Sequence, residues 1–378
     1  MEAASRPPAT RFERVAITHD WVTNPGGSEK VVSALLELFP SAEIFTAIYD
    51  PSLAPPSWHR HRVHTSFLDR IPGARTRYMS LLPFVGTAFE SFDLTDFDLV
   101  VSSNHACAKN VITQPGTLHV CYCHTPMRYA WQPRFTEGED VGRLRRAALP
   151  LVLPLLRRED LAGATRPDRF VANSSWVAAR IEKYYRRSAQ VIWPPVEVER
   201  FLSIPREAED YYLAFGRLAP YKRFDLAVEA CARMGRRLKV AGGGRTLDAL
   251  RSLAAGSPHV ELLGRVEDDA VPGLFAGARA LLFPGEEDFG MVPVEAQAAG
   301  VPVIAYGVGG VLDSVQDGVT GVLHPDQTVA SVCEAIERFE ELTIEESALR
   351  ENARRFRPER FRDEFAGLVE RAASEPVS

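Results

Sequence analysis

The sequence lacks several features that would place the protein in a membrane or outside the cell. Among its 378 residues there is no apolar run of about 18, so no membrane-spanning helix is predicted. Residues 1–14 lack the apolar segment of a signal peptide and are expected to be a disordered lead-in, which favours a cytoplasmic protein. Only five cysteines are present, without framework spacing, so we expect reduced thiols. A net charge of -6 argues against nucleic-acid binding.

The order of segments predicts two domains. The chain is longer than one ordinary core supports, and β-type and helical patterns alternate along it. Pro194 and Pro195, followed by a charged stretch through Asp210, predict a linker. We therefore expect two α/β domains with doubly wound parallel sheets, residues 1–195 and 196–357. An amphipathic helix in 358–378 is expected to pack back across the interface.

The stretch 283–305 has the pattern of a ligand-binding loop. An apolar run is followed by an acidic loop, a helix starting near Pro293, and Gly300 at the helix exit. Glu287 then lies in the loop and Glu295 in the first helical turn. Four N–H groups are expected to be available for an anion, those of Phe289, Gly290, Met291 and Val292. Because carboxylates repel phosphate, the two glutamates are expected to bind sugar hydroxyls.

Two further segments suggest phosphate binding. Gly26 and Gly27 precede a helix for which Ser28 is the expected cap, although a turn that needs only positive φ explains them equally well. Arg217 and Lys222 follow a predicted strand end and could clamp a diphosphate. Surface charge is the alternative for these two cations. Cations and a helix start that face one leaving diphosphate would stabilise its charge without a metal.

The segment HVCYCHTPMRYAW contains four potential zinc ligands: His119, Cys121, Cys123 and His124. A C-x-C pair with no matching pair elsewhere makes zinc the weaker interpretation, and core packing of both thiols is favoured. His124 follows the strand end, where polar groups of an open α/β sheet face the ligand crevice. Arg128 and Tyr129 could line the same opening.

Arginines surround an apolar centre in residues 142–163, which is interrupted by Pro150 and Pro154. A buried helical hairpin with solvated ends is the favoured interpretation. Docking on anionic lipid is the alternative, and it applies also to the basic and aromatic segment from Arg70 to Phe84.

Taken together, these residues resemble glycosyltransferase family 4, whose members have the GT-B fold of two Rossmann-like domains facing across a cleft. The resemblance covers most of the chain. It is carried by the glycine loop, the G-R-L…K-R element and the E-x7-E pair Glu287 and Glu295 with its flanking residues. More narrowly, HDWVTNPGGSEKV, SFLDRIPGARTRYMSLLP, AFESFDL and YCHTPMRYAW look like the bacterial O-antigen mannosyltransferase branch. That likeness implies GDP-mannose as donor.

The resemblance implies a role for each matched residue. Glu287 would bind donor-sugar hydroxyls, and Glu295 the nucleotide ribose. Arg217 and Lys222 would bind the diphosphate, while His124 would stabilise the cationic sugar near the anomeric centre. The remaining implied donor contacts are Gly26, Gly27, Arg265, Val266, Phe289, Gly290, Met291 and Val292, with Arg265 and Val266 at the nucleobase. Trp21, Arg128 and Tyr129 are expected on the acceptor side.

The family resemblance also implies the reaction. Members retain anomeric configuration, most simply by a front-face route in which the departing phosphate oxygen accepts the acceptor's proton. The expected protein is a metal-independent hexosyltransferase without a cofactor. It would move mannose from GDP-mannose onto a lipid-linked saccharide in cell-surface polysaccharide synthesis, as a cytoplasmic protein peripheral to the inner face of the membrane.

Several alternatives stay open. The donor could be a UDP- or ADP-sugar, and the protein could be a GT-B sugar-nucleotide epimerase, a phosphorylase or a non-catalytic sugar-nucleotide-binding partner. A dinucleotide-binding loop in VAGGGRTLDAL is disfavoured, because Leu247 stands where the third glycine belongs.

Overall fold

The computed structural model describes residues 11–23, 26–132 and 143–374, and of residues 143–150 the backbone alone. The chain divides into two compact units. Residues up to Pro195 together with those from Pro358 form the first unit, and Val196–Arg357 forms the second. Over the described ranges, no helix is long and apolar enough to cross a membrane.

The first unit is built on a parallel sheet. Its described strands are β1 (Val15–His19), β2 (Glu43–Thr46), β3 (Val63–Thr65), β4 (Leu99–Asn104), β5 (Leu118–Cys123), β6 (Arg169–Ala172) and β7 (Gln190–Val191). They lie in the order β3-β2-β1-β4-β5-β6-β7, with parallel pairing throughout. The direction of winding reverses between β1 and β4, so the carboxyl ends of these two strands are the expected ligand position. The sequence did not predict β3, which is short and only half-buried.

Helices cover this sheet. They are α1 (Gly27–Leu38), α2 (Ala74–Arg77), α3 (Leu82–Glu90), α4 (Arg128–Trp131), α5 (Arg143–Gly163) and α6 (Ser175–Tyr185). Because α5 runs without a break, the predicted hairpin is wrong. Each proline removes one N–H donor, which weakens a helix. Tertiary contacts compensate here, since Leu156 and Asp160 of α5 are buried in the unit.

A buried ion pair joins α5 to the segment that follows β4. Lys109 Nζ lies 2.6 Å from Asp160 Oδ1, and both side chains are fully buried. Asp160 Oδ2 also accepts hydrogen bonds from Trp131 Nε1 at 2.6 Å and from the Tyr185 hydroxyl at 2.8 Å. Burial lowers the pKa of Lys109, but Asp160 outweighs burial and leaves the pKa above its ordinary value. The charged pair therefore fixes α4, α5 and α6 to one another.

The second unit also contains a parallel sheet. Its described strands are β8 (Tyr212–Phe215), β9 (Leu238–Ala241), β10 (Val260–Gly264), β11 (Leu281–Phe283), β12 (Val303–Tyr306) and β13 (Gly321–His324). Their order is β10-β9-β8-β11-β12-β13, again parallel throughout. Here the winding reverses between β8 and β11. The sequence did not predict β13, which begins with a glycine and ends with a histidine.

The segment after Pro195 is part of the second unit and not a linker. The helices of this unit are α7 (Glu199–Leu202), α8 (Phe224–Met234), α9 (Leu247–Ala254), α10 (Val271–Ala276), α11 (Met291–Ala298), α12 (Val311–Ser314), α13 (Val329–Glu341) and α14 (Glu346–Arg354). Val196 donates its N–H to the Phe356 carbonyl at 2.9 Å, and the Phe201 ring packs 5.6 Å from that of Phe275. The predicted linker through Asp210 is therefore wrong, because buried apolar residues anchor this stretch.

The last described helix, α15 (Pro358–Ser374), belongs to the first unit. It packs on α1 and β5, and the Phe361 ring lies 5.6 Å from that of Tyr122. Phe365 is buried in the same core. The first sheet is thus covered on one face by helices from both ends of the described chain.

Replacing Asp160 by Asn should strongly destabilise the first unit, because Lys109 would stay buried without a carboxylate. We expect a loss of about 3–5 kcal/mol in the free energy of unfolding. Urea unfolding followed by tryptophan fluorescence measures it. The matched control is Asp96→Asn, which removes the exposed pair with Arg14 (2.8 Å) and should cost at most about 1 kcal/mol. Equal losses in both variants would contradict the prediction.

Candidate active site

An ion pair occupies the reversal point of the second sheet. Lys222 lies in the turn after β8 and Glu287 in the loop after β11, and Lys222 Nζ is 2.5 Å from Glu287 Oε1. The side chains are only 10% and 18% exposed. Burial lowers the pKa of Lys222, but Glu287 outweighs it and raises the pKa above its ordinary value. The structure thus joins two residues that the sequence interpretation assigned to different parts of a ligand.

Glycines bring the surrounding loops close enough to hold this pair. A Cβ on Gly285 would lie 2.6 Å from Lys222 Cα, and one on Gly309 would lie 2.4 Å from the Glu287 carbonyl oxygen. The Gly310 N–H donates to that same oxygen at 2.9 Å. The loop that carries Glu287 is therefore packed between two backbone segments, which fixes the position of its carboxylate.

Arg217 is the second residue after β8 and lies close enough to Lys222 to act on its charge. Its Nη2 donates to the Tyr221 hydroxyl at 3.1 Å. The preceding residue, Gly216, contacts the glycine loop after β9, where a Cβ on Gly242 would lie 1.8 Å from the Gly216 carbonyl oxygen. Gly242 has φ +140°, a conformation that side chains rarely adopt. Close packing against the residue that follows β8 thus explains why position 242 is a glycine. A dinucleotide-binding role for the VAGGG loop is not needed to explain it.

The helix start near Glu287 differs in detail from the prediction. α11 begins at Met291, because Gly290 with φ +83° ends the loop and serves as the N-cap. Pro293 is in the first turn, as predicted, and leaves no N–H unpaired there. Glu295 is the fifth helical residue, so its predicted first-turn position is wrong, and its side chain is buried.

The other residues of the second unit that were predicted to contact the donor lie near α11 and after β10. Phe289 is buried against the Phe356 ring at 5.6 Å, and Val292 follows Met291 in the first turn of α11. N–H groups at this position have no acceptor within the helix. Arg265 is exposed and Val266 half-buried, just after the edge strand β10.

Sequence reasoning missed a buried amide network behind α11. Gln297 Nε2 donates to the Ser314 carbonyl at 2.9 Å, and Asn352 Nδ2 donates to Gln297 Oε1 at 2.6 Å. All three residues are buried. A glutamine within the apolar sequence VEAQAAG was the available signal. The network anchors the site helix to α12 and α14.

In the first unit, polar side chains gather at the carboxyl ends of β1, β4 and β5. His124 Nε2 lies 2.8 Å from Ser103 Oγ, and His19 Nδ1 lies 3.1 Å from the same oxygen. Burial lowers the pKa of His124 to about 3. His124 is therefore neutral at physiological pH.

Asp20 holds the loop after β4. Its carboxylate accepts four backbone N–H groups, from His105, Ala106, Cys107 and Ala108, at 2.6 to 2.9 Å. Burial raises the pKa of Asp20, but His105 and these N–H groups outweigh it and leave the pKa below its ordinary value. The sequence interpretation overlooked His19, Asp20, Ser103 and His105, whose signal was polar residues directly at strand ends.

The glycine loop leads into α1, although Asn24 and Pro25 lie outside the described residues. Gly27 opens the helix and Gly26 is its N-cap, so the predicted capping role of Ser28 is wrong. Glu29 Oε2 instead accepts the Gly26 N–H and the Ser28 hydroxyl, each at 3.0 Å. Burial raises the pKa of Glu29, but the His19 ring and the hydrogen bonds that the carboxylate accepts outweigh burial and leave the pKa below its ordinary value.

The predicted acceptor-side residues lie in the same unit. Trp21 is buried, with its ring perpendicular to that of His105 at 4.7 Å. Arg128 opens α4 and is half-buried, and Tyr129 follows it against the core. Trp21 therefore borders the polar cluster.

The thiols of Cys121 and Cys123 are buried with Phe170 and Val177, which confirms their predicted core packing. Burial raises the pKa of the Cys121 thiol well above the ordinary value. His119 points elsewhere, with Nε2 2.6 Å from Ser102 Oγ. Across the described ranges, no three potential metal ligands are grouped.

Comparison with known proteins identifies the family. Residues 25–200 match the model for Glycosyltransferase Family 4, and residues 196–356 match that for Glycosyl transferases group 1. A D-inositol 3-phosphate glycosyltransferase of Geodermatophilus obscurus is 30% identical over 311 residues, which cover 70% of this chain and 68% of that protein. The chain belongs to glycosyltransferase family 4.

A further relative and two solved structures agree with this assignment to a glycosyltransferase family. A GDP-mannose-dependent alpha-(1-6)-phosphatidylinositol monomannoside mannosyltransferase of Mycobacterium tuberculosis is 31% identical over 230 residues, covering 53% of this chain and 58% of that protein. Anabaena HepE in complex with UDP and glucose has a TM-score of 0.68 at 19% identity, covering 94% of this chain and 99% of its own. Sucrose-phosphate synthase from Thermosynechococcus elongatus has a TM-score of 0.70 at 18% identity, and the match covers 95% of this chain and 99% of that one. The predicted GT-B fold of two Rossmann-like domains is confirmed.

In this glycosyltransferase, Gly242→Ala should be far more destabilising than Gly243→Ala. The first change forces a side chain to φ +140° and into the Gly216 carbonyl, whereas a Cβ on Gly243 meets nothing within 4 Å. We expect a cost of about 2–3 kcal/mol for Gly242→Ala. Thermal unfolding of both variants measures it, and equal midpoints would refute the packing role.

Proposed function

We propose that this glycosyltransferase moves mannose from GDP-mannose onto a lipid-linked saccharide and retains the anomeric configuration. The observation that carries the proposal is the Lys222–Glu287 pair beside Arg217 at the reversal point of the second sheet. Adjacent cationic and carboxylate groups suit the junction of a nucleotide sugar, where a diphosphate meets sugar hydroxyls. The mycobacterial relative's name specifies GDP-mannose and a lipid-linked mannoside, which supports the choice of donor and acceptor class.

The charges of the second unit would serve the donor. Lys222 and Arg217 bind the diphosphate, and Lys222 needs no proton uptake because Glu287 already keeps it charged. Glu287 accepts hydrogen bonds from sugar hydroxyls, while Glu295 accepts them from the ribose. As the sugar–phosphate bond breaks, both cations stabilise the growing charge on the leaving diphosphate, so no metal or other cofactor takes part.

Other residues complete the proposed donor site. The N–H groups from Phe289 to Val292 support the sugar and phosphate, and Gly26 and Gly27 bind donor oxygens. Arg265 and Val266 contact the nucleobase. The acceptor reacts on the face that the diphosphate leaves, and a departing phosphate oxygen takes its proton.

The first unit would serve the sugar and the acceptor. A neutral His124 stabilises positive charge on the sugar without repelling it. Trp21, Arg128 and Tyr129 bind the acceptor saccharide. The narrower likeness to O-antigen mannosyltransferases makes a cell-surface polysaccharide the proposed product.

Lys222→Ala and Arg217→Ala should each lower turnover with GDP-mannose by about 10²-fold or more. GDP should raise the unfolding temperature of the wild type more than UDP or ADP does, because a bound ligand stabilises the folded state by mass action. Arg251→Ala, which removes an exposed arginine paired with Asp248, is the control and should change neither result. Wild-type turnover in both site variants would overturn the assignment. A larger shift with UDP or ADP would overturn the donor.

We also propose that the first unit docks on anionic membrane at the cytoplasmic face. Exposed apolar side chains lie on α3, on α5 and in the segment between β3 and α2, and α3 contacts both of the others. These side chains are Phe67, Ile71, Phe84, Leu151 and Leu155. Leu151 is 82% exposed and Leu155 lies one turn later on α5. Arg70, Arg75, Arg77 and Arg158 are exposed nearby in sequence. Apolar side chains beside cations suit the headgroup region of anionic lipid.

The double variant Leu151→Glu/Leu155→Glu should bind phosphatidylglycerol vesicles at least about tenfold more weakly than the wild type, because two exposed leucines that would insert among the lipids are replaced by charges that the anionic lipids repel. Co-sedimentation at low salt measures binding. Leu253→Glu changes an exposed leucine of the second unit and should bind normally. Failure of the wild-type protein to bind, or equal binding by the double variant, would refute docking.

A further inference from the structure

Four side chains of the first unit form a continuous polar chain that ends at His124. Glu29 Oε1 lies 3.8 Å from His19 Nε2, His19 Nδ1 lies 3.1 Å from Ser103 Oγ, and Ser103 Oγ lies 2.8 Å from His124 Nε2. Glu29, His19 and Ser103 are buried, whereas His124 is partly exposed. One end of the chain is thus a buried carboxylate, and the other is the proposed sugar-contacting residue.

The carboxylate determines which ring nitrogen of His19 carries the proton when the ring holds a single one. The separation of 3.8 Å between His19 Nε2 and Glu29 is too long for a hydrogen bond but short for an electrostatic contact. Nε2 is buried and has no hydrogen-bond partner within the described residues. A lone pair on Nε2 would face negative charge, whereas an N–H would face it favourably. A singly protonated His19 therefore carries its proton on Nε2 and presents a lone pair at Nδ1.

Other groups around His19 do not reverse this preference. The His105 ring is 6.0 Å away and lies beside Asp20, whose carboxylate accepts backbone N–H groups. The Trp58 ring is perpendicular to His19 at 5.8 Å, and its N–H donates to Ser33. Glu29 is thus the charged group that faces Nε2.

The proton position on His19 determines the one on His124, because the Ser103 hydroxyl between them has a single hydrogen to donate. With a lone pair at His19 Nδ1, Ser103 donates to His19. Its oxygen then accepts a hydrogen bond from His124, which must carry its proton on Nε2. The remaining ring nitrogen of His124, Nδ1, is left unprotonated.

We propose that Glu29, acting through His19 and Ser103, sets the tautomer of His124 so that His124 Nδ1 accepts a hydrogen bond from a sugar hydroxyl. This inference rests on the proposed function for the identity of the ligand, but not for the tautomer. Glu29, His19 and Ser103 are positioning residues. Since Glu29 Oε2 also accepts the Gly26 N–H, the same carboxylate fixes the glycine loop and the proton of His124.

The test is the tautomer itself, observed by NMR on the full chain with ¹⁵N-labelled histidine. His124 signals are assigned by their loss in His124→Gln. In the wild type, Nε2 should have the shift of a protonated nitrogen and Nδ1 that of an unprotonated one. Glu29→Gln keeps an acceptor for Gly26 but removes the charge, so His124 should become a mixture of tautomers. An Nδ1–H tautomer in the wild type would overturn the proposal, as would an unchanged ratio in Glu29→Gln.

Ser102 offers a matched control, since it is also buried and bonded to a histidine but lies on the other face of β4. Ser103→Ala should remove the slowly exchanging Nε2–H signal of His124, while Ser102→Ala and Ser103→Thr should preserve it. In transfer assays Ser103→Ala should lower kcat by up to about 10²-fold with little change in KM, and Ser103→Thr should restore it. Equal NMR effects of Ser102→Ala and Ser103→Ala would refute the proposed polar chain from Glu29 to His124. No transfer by a wild type with the expected tautomer would refute only the proposed function.

Discussion

The buried charge of Lys222 is the constraint on which the second unit depends. A charged lysine that is buried in the turn after a central strand is stable there only while a carboxylate faces it, so Glu287 must be held at 2.5 Å. That requirement explains why the loop after β11 packs backbone to backbone through Gly285 and Gly309. It also explains why α11 begins where it does, at the end of a loop whose course is already fixed. Under the proposed function, a bound donor would replace part of this existing interaction and would not have to order the loop.

The two units apply one rule of sheet topology to different chemistry. In each, the side chains of the candidate site lie at or next to the point where the winding of a parallel sheet reverses. The second unit places charged groups there, which suits a phosphate-bearing ligand. The first unit places His19, Ser103 and His124 at or next to this point, and Glu29 is proposed to set their proton positions. Charge is thus concentrated on one unit and directional hydrogen bonding on the other.

Most elements and the residues that follow strand ends were predictable, because apolar runs and glycine or proline punctuation are local properties. His124 and Lys222 were located in this way. The Lys222–Glu287 contact was not predictable, since the course of a loop depends on glycine contacts with another loop. Likewise, the sequence around Ser103 is that of a solvent-exposed strand end, and only the structure shows its contacts with His19 and His124. The hairpin prediction for α5 was wrong because the proline rule describes an isolated helix, whereas Asp160 ties this one into a core.

The return of α15 to the first unit has a consequence for synthesis on the ribosome. The core of the first unit includes Phe361, Phe365 and Val369, which are translated after the whole of the second unit. The second unit is contiguous and can complete its core as soon as it emerges. The first unit must wait in a partly assembled state, with apolar surface on α1 and β5 uncovered. Folding in the cell is therefore expected to finish at the unit that begins it, and chaperones would encounter the amino-terminal half for the longest time.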